Sequence, residues 1–234
     1  MKRVLVTGPV EHIADWSSAA KRAGWEPVEF PLLEIARCPV DISALCGSVA
    51  RFDWICVTSS NAIPFVEEAL ANHPELFDAS LAVVGDSSAH RLMAIGLAPS
   101  IEPVASAAEL FEALKSLVRA ATTVLWPRGN LSDALARDLR SVGCTVADPV
   151  VYETRALDRH AAPACDAVFF ASPSAVRAWH EGPPASDEPR LAIAIGPTTL
   201  DALYAETDSR FERLQALSAA TTDAFAHALG HLEP

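Results

Sequence analysis

Short unbroken runs of Val, Ile and Leu recur along the chain, each followed by a stretch in which apolar residues return every three or four positions. Strands buried on both faces of a parallel sheet read as apolar runs, and amphipathic helices read with a 3.6-residue period. The pattern predicts strands over residues 3–7, 26–30, 54–58, 81–84, 123–126, 145–152, 167–171 and 191–195. It predicts helices over 12–23, 62–71, 88–95, 108–118, 133–142, 174–180, 199–206 and 222–229. Alternation this regular argues for a doubly wound α/β fold with parallel sheets. The stretch 182–189, G-P-P-A-S-D-E-P, can hold neither helix nor strand and reads as a surface loop.

The pattern also repeats itself. Val57-Thr58-Ser59-Ser60-Asn61-Ala62-Ile63 matches Phe170-Ala171-Ser172-Pro173-Ser174-Ala175-Val176, and Val83-Val84-Gly85-Asp86-Ser87-Ser88-Ala89 matches Ala194-Ile195-Gly196-Pro197-Thr198-Thr199-Leu200. A third match pairs Arg22-Ala23-Gly24-Trp25-Glu26-Pro27-Val28 with Ser141-Val142-Gly143-Cys144-Thr145-Val146-Ala147. Three matches in the same order indicate an internal duplication, with a working site expected between the copies.

Composition narrows the classes. The 234 residues suffice for one large or two small domains. No apolar stretch approaches the roughly 18–20 residues that span a bilayer, and the start moves straight into a strand without a signal-peptide pattern. The expected setting is the cytoplasm. A net charge of −12 argues against nucleic acid or an anionic membrane as partner. A small anionic ligand remains open, gripped by backbone N–H groups, helix N-termini and selected Arg residues. Cys38, Cys46, Cys56, Cys144 and Cys165 are odd in number and without C-x-x-C, which fits reduced core residues. Seven scattered histidines show no H-x-H or H-E-x-x-H, arguing against a dedicated transition-metal site.

Both copies place polar clusters at the carboxyl end of a strand where a helix begins, the ligand-binding edge of open α/β sheets. The candidates are Thr58, Ser59, Ser60 and Asn61; Gly85, Asp86 and Ser87; Ser172, Pro173 and Ser174; and Gly196, Thr198 and Thr199. Each also reads as ordinary helix capping. Arg128 and Gly129 follow another strand, where a guanidinium could hold a carboxylate bidentately or simply face solvent. Tyr152 closes an extended run, as a strand aromatic or a hydrogen-bond donor to ligand. Neither G-x-G-x-x-G nor a P-loop is present. Gly85-Asp86-Ser87-Ser88-Ala89 offers a weak nucleophile-elbow reading with Ser87 as the nucleophile.

Together these residues resemble the uroporphyrinogen-III synthase family almost end to end. The motifs are T-S-x-N-A-[VI] at 58–63, V-G-x-x-[TS]-A at 84–89, Arg128-Gly129, Gly143, Val151-Tyr152, F-x-S-P-S-[AG]-V at 170–176 and A-I-G-P-T-T at 194–199. The resemblance implies two flavodoxin-like lobes whose first units are exchanged: residues 1–35 with 156–234 form one, and 45–147 the other. Residues 36–44 and 148–155 become two linker strands. It implies a monomeric lyase of tetrapyrrole and heme biosynthesis with no cofactor and no metal. Its substrate is hydroxymethylbilane, an octacarboxylate, which is cyclised with loss of water and inversion of ring D through a spiro intermediate. Tyr152 is the implied acid, and transient contact with the preceding deaminase is a further implication. Many bacterial members read V-T-R-P near the start where this chain reads Val6-Thr7-Gly8-Pro9, so a cation expected there is missing; either Arg3, Arg128 or Lys2 replaces it or fewer propionates are contacted. The competing reading is a non-catalytic two-lobed binding protein for a carboxylate ligand.

Overall fold

Apolar strands need cover on both faces, and two parallel sheets obtain it within one chain. The computed structural model describes residues 1–47, 51–158, 160–183, 189–206 and 211–231, apart from the side chains of Cys46, Gly47 and Phe77. The chain divides into two compact units, Met1–Ile35 with Arg155–Pro234, and Ala36–Thr154.

The first unit holds β1 (Arg3–Val6), β2 (Glu26–Glu29), β10 (Ala167–Phe170), β11 (Leu191–Ala194) and β12 (Arg213–Ala216). They form a parallel sheet in the order β12-β11-β10-β1-β2. Successive side chains alternate between two cores, as a pleated strand requires. Val4, Val6, Phe169 and Ile193 pack in one core with Phe225 of α9 (Thr222–Gly230) and residues of α1 (Ile13–Arg22). Leu5, Val168, Phe170 and Ala192 face the other core, with Trp179 of α7 (Pro173–Glu181) and Leu203 of α8 (Pro197–Glu206).

The second unit holds β4 (Trp54–Val57), β5 (Ser80–Val83), β6 (Thr123–Leu125) and β8 (Thr145–Ala147), parallel in the order β5-β4-β6-β8. Val104 adds a single parallel bridge to Val84 beyond β5. Ile55, Val57, Leu81 and Val83 face α3 (Ile63–Asn72) and α4 (Asp86–Ala94). Cys56, Ala82 and Val124 face Leu110 and Leu114 of α5 (Ala107–Leu114) and Leu139 of α6 (Ala134–Ser141). Apolar surroundings push the Cys56 thiol up to about 12, so it is an inert core residue.

The two sheets repeat one strand order, β1, β2, β10 and β11 answering β6, β8, β4 and β5. They also repeat one device at the strand start. The Asp166 carboxylate accepts the Arg3 N–H (2.7 Å), and the Asp53 carboxylate accepts the Thr123 N–H and hydroxyl (2.9 Å each). A third sheet is formed by β3 (Leu33–Arg37), β9 (Val150–Ala156) and β7 (Arg128–Gly129), in that order. Cys38 N–H donates to Val151 O and Leu157 N–H to Leu32 O, an antiparallel pairing of β3 with β9. β7 lies parallel to β9.

Three expectations need correction. The strand expected over 145–152 is two, β8 and β9, interrupted at Asp148-Pro149, where proline has no N–H for the ladder. β12 escapes the pattern because its polar Arg213 and Gln215 alternate with Leu214 and Ala216 at a sheet edge. The linker strand expected over 36–44 lies earlier, as β3 (Leu33–Arg37), and the chain is helical from Ile42 as α2 (Ile42–Gly47). Of the loop expected over 182–189, residues 184–188 lie outside the described residues.

Candidate functional site

The carboxyl ends of the strands show what each predicted residue does locally. After β4, Ser59 is extended and its hydroxyl accepts the Asn61 N–H at 3.2 Å, opening the turn that leads into α3. Thr58 Oγ1 accepts the Trp126 indole N–H at 3.0 Å. That bond ties the end of β4 to the end of β6. After β10, Ser172 caps α7 in the same way, accepting the Ala175 N–H at 3.2 Å, with Pro173 in the first turn and Ser174 Oγ 3.0 Å from Ser172 Oγ.

The second pair of turns is built differently. Gly85 precedes α4 without a side-chain cap, and its N–H donates to the Val104 carbonyl at 2.9 Å. Asp86 and Ser87 lie on the first helical turn, with Ser87 exposed. No hydrogen bond joins Ser87 to a base among the described residues, which leaves the nucleophile-elbow reading without its activating partner. Gly196 and Thr198 lie at the start of α8, Thr198 exposed, while the Thr199 side chain is only 2% exposed and presents no surface to a ligand. Its place in the recurring turn is a packing place.

Arg128, Gly129 and Asn130 form the most elaborated of these ends. The Arg128 Nε–H donates to Asp148 at 2.8 Å and its Nη1 to the Gly129 carbonyl at 3.1 Å, in a pair whose side chains are 17% and 16% exposed. Asp148 also binds Arg140. The guanidinium therefore anchors the β6–β7 turn to the segment ahead of β9. Asn130 completes the attachment by accepting the Thr154 N–H at 2.9 Å.

Gly129 sits in register with Tyr152 across β7 and β9. A Cβ at Gly129 would lie 2.6 Å from Tyr152 Cε2 and 2.7 Å from Cζ, so only glycine admits the phenol ring there. Tyr152 is half-buried against the core below β4, and its hydroxyl has no hydrogen-bond partner among the described residues. The result is a phenol held by its ring, with its O–H unengaged among the described residues.

The residues expected to stand in for the cation missing at Gly8 have partners of their own. Gly8 has φ +135° and its Cβ would meet Ala171 Cβ at 3.1 Å, a conformation that resists an arginine. Arg3 is spent on the Ala164 carbonyl (3.0 Å) at the amino end of β1, and Lys2 lies over the Trp25 ring. Arg37, which the sequence reasoning passed over, ends β3 exposed, without a hydrogen bond or ion pair among the described residues. It lines a cavity of about 190 Å³ with Asn61, Phe65, Glu68 and Val151. No periodicity marks such a residue, because its value comes from the strand that ends beside Asn61.

The described residues contain no helix long and apolar enough to cross a membrane, and no group of three or more His, Cys, Asp or Glu placed to hold a metal. Comparison with known proteins gives one family. A family model described as "Uroporphyrinogen-III synthase HemD" matches residues 14–210. The uroporphyrinogen-III synthase of Synechococcus elongatus is 29% identical over 164 residues, 66% of this chain and 61% of that protein. The porphyrin biosynthesis protein HemD of Ruminiclostridium josui is 27% identical over 107 residues, 43% of this chain and 21% of that protein. The chain thus spans less than two thirds of these curated relatives. Among solved structures, a mutant uroporphyrinogen III synthase of the extremely thermophilic bacterium Thermus thermophilus superposes with a TM-score of 0.67 at 18% identity, covering 97% of both chains. The uroporphyrinogen-III synthetase of Helicobacter pylori does so with 0.63 at 18% identity, covering 97% of this chain and 98% of that one. At that identity the likeness is one of fold.

Proposed function

The chain belongs to the uroporphyrinogen-III synthase family, and from that premise we propose that it cyclises hydroxymethylbilane to uroporphyrinogen III with loss of one water. The observation that carries the reading is Tyr152, a phenol seated on Gly129 with its hydroxyl unengaged among the described residues. The ring A pyrrole nitrogen pushes out the hydroxyl of the hydroxymethyl group, leaving an azafulvene. Tyr152 gives its proton to that departing oxygen, which leaves as water, and the proton lost at the last step restores the phenol. Ring D attacks through its substituted α-carbon to give a spiro intermediate. That intermediate fragments and recloses at the other α-carbon, and loss of a proton restores the pyrrole.

Control of conformation is the larger task, because the unassisted substrate closes without inversion. The turns at Ser59–Asn61, Gly85–Ser87, Ser172–Ser174 and Gly196–Thr198 supply N–H groups and hydroxyls for carboxylates, and Arg37 supplies a cation. Such positioning is worth up to roughly 7–11 kcal/mol in favourable systems. Transient contact with the deaminase that makes the substrate would limit its spontaneous closure. In the deciding experiment the purified protein is coupled to that deaminase and the products are separated by chromatography. Type III isomer in excess is expected; type I alone sinks the reading.

A further inference from the structure

The end of α9 carries two histidines that the proposed reaction does not use. His227 and His231 are four residues apart, so their side chains rise from one face of the last helical turn. The His231 N–H donates to the His227 carbonyl, which keeps the turn closed at the helix end. Both residues are exposed, their ring centroids are 4.2 Å apart, and the two Nε2 atoms converge to 2.9 Å. Two neutral imidazoles can satisfy that approach with an N–H···N hydrogen bond, or by sharing a cation between two lone pairs.

We propose that His227 and His231 form a surface chelate for a divalent transition metal of the copper or nickel type. The geometry selects the ion. With metal–nitrogen bonds of about 2.0–2.1 Å, nitrogens 2.9 Å apart subtend about 90° at the metal. That is the cis angle of a square-planar or tetragonal site, the preference of Cu(II) and Ni(II). Tetrahedral zinc would need the nitrogens opened to about 3.3 Å. The position adds to the affinity, because the last carbonyls of a helix carry negative partial charge. No third His, Cys, Asp or Glu joins the pair among the described residues, so water completes the coordination sphere. The pair lies at the opposite end of α9 from its Thr221 cap, so this inference does not depend on the proposed reaction.

The test uses the full untagged chain titrated with Cu(II) at pH 7.5 in a buffer that does not bind metal, followed by electron paramagnetic resonance, and separately with Ni(II), which does not oxidise thiols, followed by titration calorimetry. A tight site with two nitrogen ligands is expected. His227→Ala or His231→Ala should weaken it by about tenfold or more, the gain a second preplaced ligand confers. His90→Ala, on the surface of α4, should leave it unchanged. If the His227→Ala/His231→Ala protein, shown folded by circular dichroism, binds both metals as the parent does, the pair is only a hydrogen bond and the proposal is overturned.

Discussion

The two units agree at the amino ends of their strands and in the serine caps after the third strand of the repeat, and part company after the first strand. In both, an aspartate ahead of the third strand of the repeat accepts the N–H that opens the first strand, Asp166 for Arg3 and Asp53 for Thr123. In both, a serine after that third strand caps its helix, Ser172 and Ser59. After the first strand the likeness ends. The first unit has Thr7, whose hydroxyl donates to the Phe169 carbonyl at 2.6 Å, then Gly8 in a glycine-only conformation. The second has the Arg128–Asp148 pair, Gly129 beneath Tyr152, and Asn130 bonded to Thr154. The shared devices are those any doubly wound unit needs to start its strands and helices. The unshared ones hold a single side chain, which is how a duplicated fold comes to carry one proposed acid instead of two.

The sharpest way to break this contrast is to attack the phenol and its seat. Tyr152→Phe should lower the rate of type III formation about a hundredfold, with the unfolding temperature nearly unchanged. Gly129→Ala should cost nearly as much, and the double variant should lose little more, because both changes act on one group. Independent, multiplying losses would separate Gly129 from Tyr152. Arg37→Ala should come next, raising KM severalfold while leaving kcat alone; an unmoved KM makes Arg37 an ordinary surface charge.

Smaller effects address the scaffold. Asp148→Asn strips a half-buried guanidinium of its charged partner and should cost about 1–3 kcal/mol in urea unfolding. Gly8→Ala should cost about 1–2 kcal/mol through its positive φ and lower the unfolding temperature without changing kcat. Asp53→Asn should act least, at neutral pH, with its cost vanishing in acid. The Thr123 N–H, then its hydroxyl, hold the Asp53 carboxyl below its ordinary value. A depressed folded pKa stabilises the fold above the unfolded value of about 3.9. That contribution is lost as pH falls through the folded value. Urea midpoints measured from pH 5 downward should therefore fall less steeply in Asp53→Asn; identical slopes would remove the linkage.

How much of this was legible depended on range. The apolar runs at Val4–Val6, Ile55–Val57 and Ala167–Phe170 announced buried parallel strands, because burial on both faces leaves no polar position to disguise them. The turn motifs showed where helices start, since Ser59 and Ser172 cap residues two or three positions away. The edge strand β12 and the break at Asp148-Pro149 were missed, the first for want of burial and the second because an extended run looks alike on either side of it. The role of Arg128 was open between a ligand contact and a solvated charge, and the structure replaces the solvated charge with a pairing to Asp148. Its partner Asp148 is 20 residues away along the chain and meets it only through β7 and β9.

The same distinction applies to the whole protein. Sequence alone determined the α/β class, the internal repeat and the turns, because burial, helix capping and strand periodicity act between residues a few positions apart. Tertiary structure alone decided that Gly129 is the seat of Tyr152, that Thr199 is packed away, and that Arg37 shares a cavity with Asn61. The first and last of these depend on contacts across 23 residues or more, made by strand pairing that no local pattern encodes.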